Sequence, residues 1–143
     1  MTYKFLEHTA DIKIEASSTS LEKAFLSSAL ALKESMSGKI SIKAKIKKQI
    51  NIAAKDNERL LYDFLESFLY FLDAEDFVFS KITSLKIKED KSQKRIGLKA
   101  EILGDKASNY SFSNNVKAIT YNQMSIKQNK AKKQVIIQFV LDV

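Results

Sequence analysis

The longest regular pattern in the chain runs over residues 40–54. Ile40, Ile42, Ala44, Ile46, Ile50, Ile52 and Ala54 fall on even positions, with Ser41, Lys43, Lys45, Lys47, Gln49 and Asn51 between them. Successive strand side chains point to opposite faces, so this period predicts a strand with one apolar face and one solvated, cationic face. Lys48 interrupts the apolar series and predicts a bulge or bend. Residues 11–17 also alternate, as do residues 81–90, 93–103 and 133–141, and alternation resumes over 116–127. Lys91-Ser92 predicts a hairpin turn, and the polar run 104–115 predicts a loop.

Two segments carry the helical period instead. Ser18, Thr19 and Ser20 offer N-cap hydroxyls to a helix whose apolar face is Leu21, Ala24, Phe25, Ala29 and Leu32, ending near Gly38. Asp56 caps a second helix with a wide apolar face: Leu60, Leu61, Phe64, Leu65, Phe68, Leu69, Phe71 and Leu72. Its aromatic residues Phe64, Phe68, Tyr70 and Phe71 are expected in the core, not on a base-stacking platform. Two helices among six or seven strands, mostly joined as hairpins, predict an α+β two-layer domain with the helices packed on a mixed or antiparallel sheet. At 143 residues the chain has the length of a single domain, 1–143.

Composition narrows the chemistry. The absence of cysteine excludes disulfides and thiolate metal sites. No apolar run reaches the roughly 18 residues of a membrane span. Met1-Thr2-Tyr3-Lys4-Phe5 lacks the charged start and apolar block of a signal peptide, so a cytoplasmic address is expected. The net charge of +7 favours polyanions, but every basic residue except Arg59 and Arg95 is lysine. Specific readers of phosphates and bases lean on arginine's planar fork, so RNA contact is expected to be indirect or weak.

Most catalytic sets are missing. There is no glycine-rich phosphate loop, and His8, the single histidine, rules out two-histidine metal sites. No spacing selects a Ser-His-Asp set. What remains is acidic. His8-Thr9-Ala10-Asp11 leads into the first alternating strand, and Asp142-Val143 follows the last. Asp11, Asp142 and the terminal carboxylate of Val143 are hard oxygen donors that suit Ca²⁺, Mg²⁺ or Mn²⁺. The plainer reading makes Asp11 a turn residue, Asp142 a solvated end residue and Asp56 a helix cap. Alternation likewise puts Lys117 on a solvated face, unless it points at a site.

Four segments taken together resemble the archease family. They are His8-Thr9-Ala10-Asp11-Ile12, Asp56-Asn57-Glu58-Arg59-Leu60-Leu61, Val116-Lys117-Ala118-Ile119-Thr120-Tyr121 and Leu141-Asp142-Val143. Their order and spacing, with the helices between, extend the resemblance over essentially the whole chain. It implies an α+β fold and an acidic divalent-metal site, with Ca²⁺ the leading candidate and Mg²⁺ or Mn²⁺ the alternatives. It also implies a non-enzymatic partner of an RtcB-type RNA ligase, which uses GTP and a metal to guanylylate its own histidine in tRNA splicing and RNA repair. An archease promotes that guanylylation and multiple turnover. By the same resemblance Asp11 and Asp142 are metal ligands, with Val143 beside them. Asp56 is an accessory ligand, Lys117 the essential basic residue, and His8 orients the site.

The chain departs from the family pattern at Asn122, where a histidine is usual, and over 108–115, which lacks the usual acidic and histidine residues. Three other readings compete. They are a chaperone of a tRNA methyltransferase, a basic RNA-binding module, and a metal-dependent hydrolase, for which one histidine and scattered acids offer the least.

Overall fold

The computed structural model describes residues 2–6 and 11–143. The strands are β1 (Thr2–Leu6), β2 (Asp11–Ser18), β3 (Ile46–Ala54), β4 (Phe77–Asp90), β5 (Arg95–Lys106), β6 (Ala118–Asn129) and β7 (Gln134–Asp142), and the helices are α1 (Leu21–Ser37) and α2 (Asn57–Glu75). This is the expected α+β inventory, but the strands divide into two antiparallel sheets, ordered β1-β2-β7-β6 and β3-β5-β4. The chain correspondingly forms two compact units, Met1–Met36 with Asn114–Val143, and Ser37–Ser113. Among the described residues no helix is long and apolar enough to cross a membrane.

In the first unit β2 and β7 are the central strands. Ile14 and Ala16 pair with Phe139 and Ile137, and all four are fully buried. In the same unit α1 begins where Ser20 Oγ accepts the Lys23 N–H and ends at Gly38, whose φ of 69° suits the left-handed position after a helix. Ser27 of α1 donates its hydroxyl to the Thr2 carbonyl, tying the helix to the edge strand β1. Alternation does not reveal β1, because five residues are too few for a period of two to stand out.

In the second unit α2 lies on the three-stranded sheet. Asp56 caps it by accepting the Arg59 N–H at 2.8 Å, and Leu60, Leu61, Phe64, Leu65, Phe68 and Leu69 are buried. Phe64, Phe68 and Phe79 form a ring chain, with centroids 5.1 and 4.3 Å apart. Removing one such ring costs about 3–5 kcal/mol. Tyr70, expected in the core, is instead 58% exposed, because it falls outside the stripe set by positions 60, 61, 64, 65, 68 and 69.

Four further expectations need correction in this unit. The 40–54 alternation is real, but the ladder begins at Ile46, paired with Gly104. Upstream, Ile42 keeps its apolar side buried against Val78 and Ala107 without a strand partner. Lys48 causes no bulge, and β3 pairs with β5 in unbroken register. The lysine stays on the apolar face by stretching its stem past Phe71 and Phe77, 5.8 and 5.7 Å from the ring centroids, to an ion pair with Glu75. The bulges lie in β4, at Ser80 and Thr83, and β4 starts at Phe77, four residues before its alternation becomes regular. Finally, β5 continues to Lys106, into the stretch expected to be loop, because Gly104 lets β4 pass close. A Cβ there would collide with the Val78 carbonyl oxygen and lie 2.7 Å from Phe77 Cζ.

Candidate functional site

Antiparallel pairing brings the start of β2 to the end of β7, and the start of β6 to the same place. Asp11 is the Cα partner of Asp142, which is in turn the partner of Ala118. Residues from opposite ends of the sequence are therefore direct cross-strand neighbours. The core face of these strands carries Ile14, Ala16, Ile137, Phe139 and Leu141, all fully buried, so strand parity puts Asp11 and Asp142 on the opposite face. Directly paired residues have Cβ atoms about 4.5–5.5 Å apart, close enough for two carboxylates to share one cation.

Lys117 immediately precedes β6. Its N–H donates to the Asp142 carbonyl at 2.7 Å, which anchors the lysine backbone at the same strand end, while its side chain is exposed. Val143 follows at 37% exposure. Asp11 is half-buried, and its Oδ1 is shielded from solvent. Lys13 occupies the next position on the Asp11 face, opposite Val140. Sequence reasoning missed it as a neighbour of the site. The signal was the alternation of Asp11, Lys13 and Glu15, which acquires meaning only once the β2–β7 register is known.

His8 lies outside the described residues. Asp56 belongs to the second unit, where its Oδ1 caps α2. Asn122 falls in a stretch of β6 whose pairing with β7 is interrupted between Thr120 and Ser125, and its N–H donates to Thr120 Oγ1. In the 108–115 segment Asn114 accepts the Val116 N–H, fixing the approach to Lys117.

The donor chemistry fits a hard divalent cation, since both facing side chains are carboxylates. Among the described residues no group of three His, Cys, Asp or Glu side chains gathers to hold a metal. Asp11 and Asp142 therefore offer two carboxylates on neighbouring strand ends.

The acids of the second unit are engaged elsewhere. Asp105 is buried, accepting from Tyr110 Oη at 2.7 Å and from the Lys106 N–H at 2.9 Å. The Tyr110 hydroxyl leads in holding its carboxyl below the usual range, against burial, which pushes it up. Tyr110 Oη in turn accepts the Lys43 N–H, clipping the segment before β3 to the one after β5. Asp76 accepts from both the N–H and the hydroxyl of Ser108.

Comparison with known proteins agrees with the fold. The Archease protein family (MTH1598/TM1083) matches residues 3–143. Protein archease of Sulfolobus acidocaldarius is 36% identical over 143 residues, covering 99% of this chain and 98% of that protein. Protein archease of Pyrobaculum neutrophilum is 33% identical over 144 residues, covering 99% and 95%. The solution structure of Methanobacterium thermoautotrophicum protein 1598 superposes with a TM-score of 0.83 at 28% identity, covering 99% of this chain and 98% of that one. With sequence and fold both matched from end to end, the chain belongs to the archease family.

Proposed function

We propose that this protein is a non-enzymatic accessory factor of an RtcB-type RNA ligase, promoting its guanylylation and multiple turnover in tRNA splicing and RNA repair. The observation that carries this reading is the direct cross-strand pairing of Asp11 with Asp142, with the Lys117 backbone fixed to the same strand end. Like charges placed directly opposite repel, and a divalent cation held between them would relieve that repulsion.

Asp11 and Asp142 would hold a divalent cation, Ca²⁺ first among the candidates. When bound, such a cation offsets charge on phosphate oxygens. The two carboxylates are positioned by the paired ends of central strands, which limits their movement when the acidic end enters a partner's cleft. Lys117, exposed at the same end, offers a second positive charge to phosphate or an ion pair to an aspartate. No cysteine, glycine-rich loop or histidine cluster gives the chain a reaction of its own.

The test is RNA ligation by the RtcB-type ligase of the same source, with limiting enzyme, with and without this protein. A rise from about one turnover to many is the expected result. An active ligase that gains nothing from folded protein would sink the proposal and turn attention to a tRNA methyltransferase as partner.

A further inference from the structure

The three-stranded sheet has two very different faces. One is covered by α2 and carries the buried Leu98, Ala100 and Ile102. The other carries six cations in register: Lys47 of β3, Lys81, Lys86 and Lys88 of β4, and Arg95 and Lys99 of β5, all exposed. The two bulges of β4 keep this parity, each absorbing one residue so that the lysines beyond it stay on the outer side.

Three carboxylates share the face's strand parity, and all are committed; Asp105 is buried and accepts the Tyr110 hydroxyl. Glu101 is held by Lys47 at 3.2 Å and by the Thr83 hydroxyl at 2.8 Å. Asp90 accepts from Ser92 and Gln93 in the β4–β5 turn. Lys86 and Lys99 are direct cross-strand partners, a like-charge pair that costs stability, and neither has a carboxylate partner among the described residues. They line a shallow trough of about 320 Å³ together with Asn51, Ser84 and Glu101, whose carboxylate is drawn to Lys47 and Thr83.

We propose that this face docks the phosphodiester backbone of RNA. Charge complementarity selects a polyanion, and the side chains select its kind. Protein interfaces are anchored by aromatic residues and arginine and depleted of lysine at their centres, which is the reverse of this surface. The face also lacks an aromatic platform for stacking bases, so contact is with phosphates and independent of sequence. A phosphate seated between Lys86 and Lys99 removes the repulsion that the sheet otherwise bears. The inference stands apart from the ligase reading, because it concerns the other unit and needs no ligase.

Fluorescence anisotropy of a short labelled single-stranded RNA, titrated with the protein alone over a range of KCl, tests it. Binding should weaken as salt rises. The Lys86→Gln/Lys99→Gln protein should lower the slope of log K against log salt by about 0.7, the value for the one phosphate contact the pair makes on a single strand. The Lys86→Arg/Lys99→Arg protein should keep it. The Gln pair should melt no lower than the parent, since it relieves a repulsion, so lost binding is separable from lost fold. Lys130→Gln/Lys132→Gln, the same charge loss in the exposed β6–β7 turn, should leave the slope unchanged. The proposal is overturned if the parent protein shows no salt-dependent RNA binding or if the turn variant loses as much as the sheet variant. Polyglutamate competing as well as RNA, weight for weight, would also overturn it, by marking the face as one for acidic proteins.

Discussion

The two units of the chain use carboxylates in opposite ways. In the β3-β5-β4 unit, acids at the ends of elements serve the fold. Asp56 caps α2, Asp76 holds Ser108, Asp90 builds a turn, and Asp105 receives Tyr110. In the β1-β2-β7-β6 unit Asp11 and Asp142 are set directly opposite each other, at the end of the best-buried pair of strands. Local hydrogen bonds account for the first arrangement, and the second sets two like charges opposite each other, where a bound cation would offset them. The difference teaches where to look for function, namely at acids set opposite each other across strands rather than at helix caps and turns.

The comparison can be stressed from its strongest point down. Gly104→Ala should have the largest effect. With the Val78 carbonyl oxygen in the way and Phe79 Cα at 2.8 Å, backbone must move, and a loss of about 3 kcal/mol or more in urea unfolding is expected. A loss below about 1 kcal/mol would mean that β4 and β5 separate easily. Asp56→Ala should cost about 1 kcal/mol by removing the cap, whereas Asp56→Ser, which keeps a capping oxygen, should cost a few tenths. Ligase stimulation that survives Asp56→Ser makes Asp56 a cap alone, and stimulation lost with the fold intact makes it a ligand as well.

Asp105 should contribute a smaller effect, present above the carboxylate range and lost in acid. Tyr110 depresses its folded-state pKa below the unfolded value. Its stabilisation is therefore complete above the unfolded carboxylate range near pH 4 and is lost as pH falls through the depressed folded value. Thermal melts from pH 7 down to pH 2 should fall less steeply for Asp105→Asn than for the parent. An unchanged acid limb would remove Asp105 from the network.

Much of this is legible in the sequence, and the gaps have physical causes. The α2 boundaries follow from the Asp56 cap and the 60/61/64/65/68/69 stripe, since both signals are local. Asp11, Lys117 and Asp142 stand out through the family resemblance, while strand pairing alone brings them to one end of a sheet. That pairing is non-local, and no window of sequence holds both partners. Lys48 looks like a break because periodicity scores a lysine as polar, whereas its long stem packs as hydrocarbon and only its tip needs Glu75. Tyr70 misleads in the other direction, an aromatic residue one position off the buried stripe. The division into two sheets is invisible to alternation, which gives each strand's faces but not its neighbours.

The most direct test of the central claim sets one acid from each unit against the other in the ligation assay. Asp142→Asn should abolish stimulation of ligase turnover while its melting temperature stays at or above that of the parent. Asp105→Asn should melt lower yet stimulate fully at temperatures where it is folded. Full stimulation by Asp142→Asn, or its loss in folded Asp105→Asn, would contradict the account.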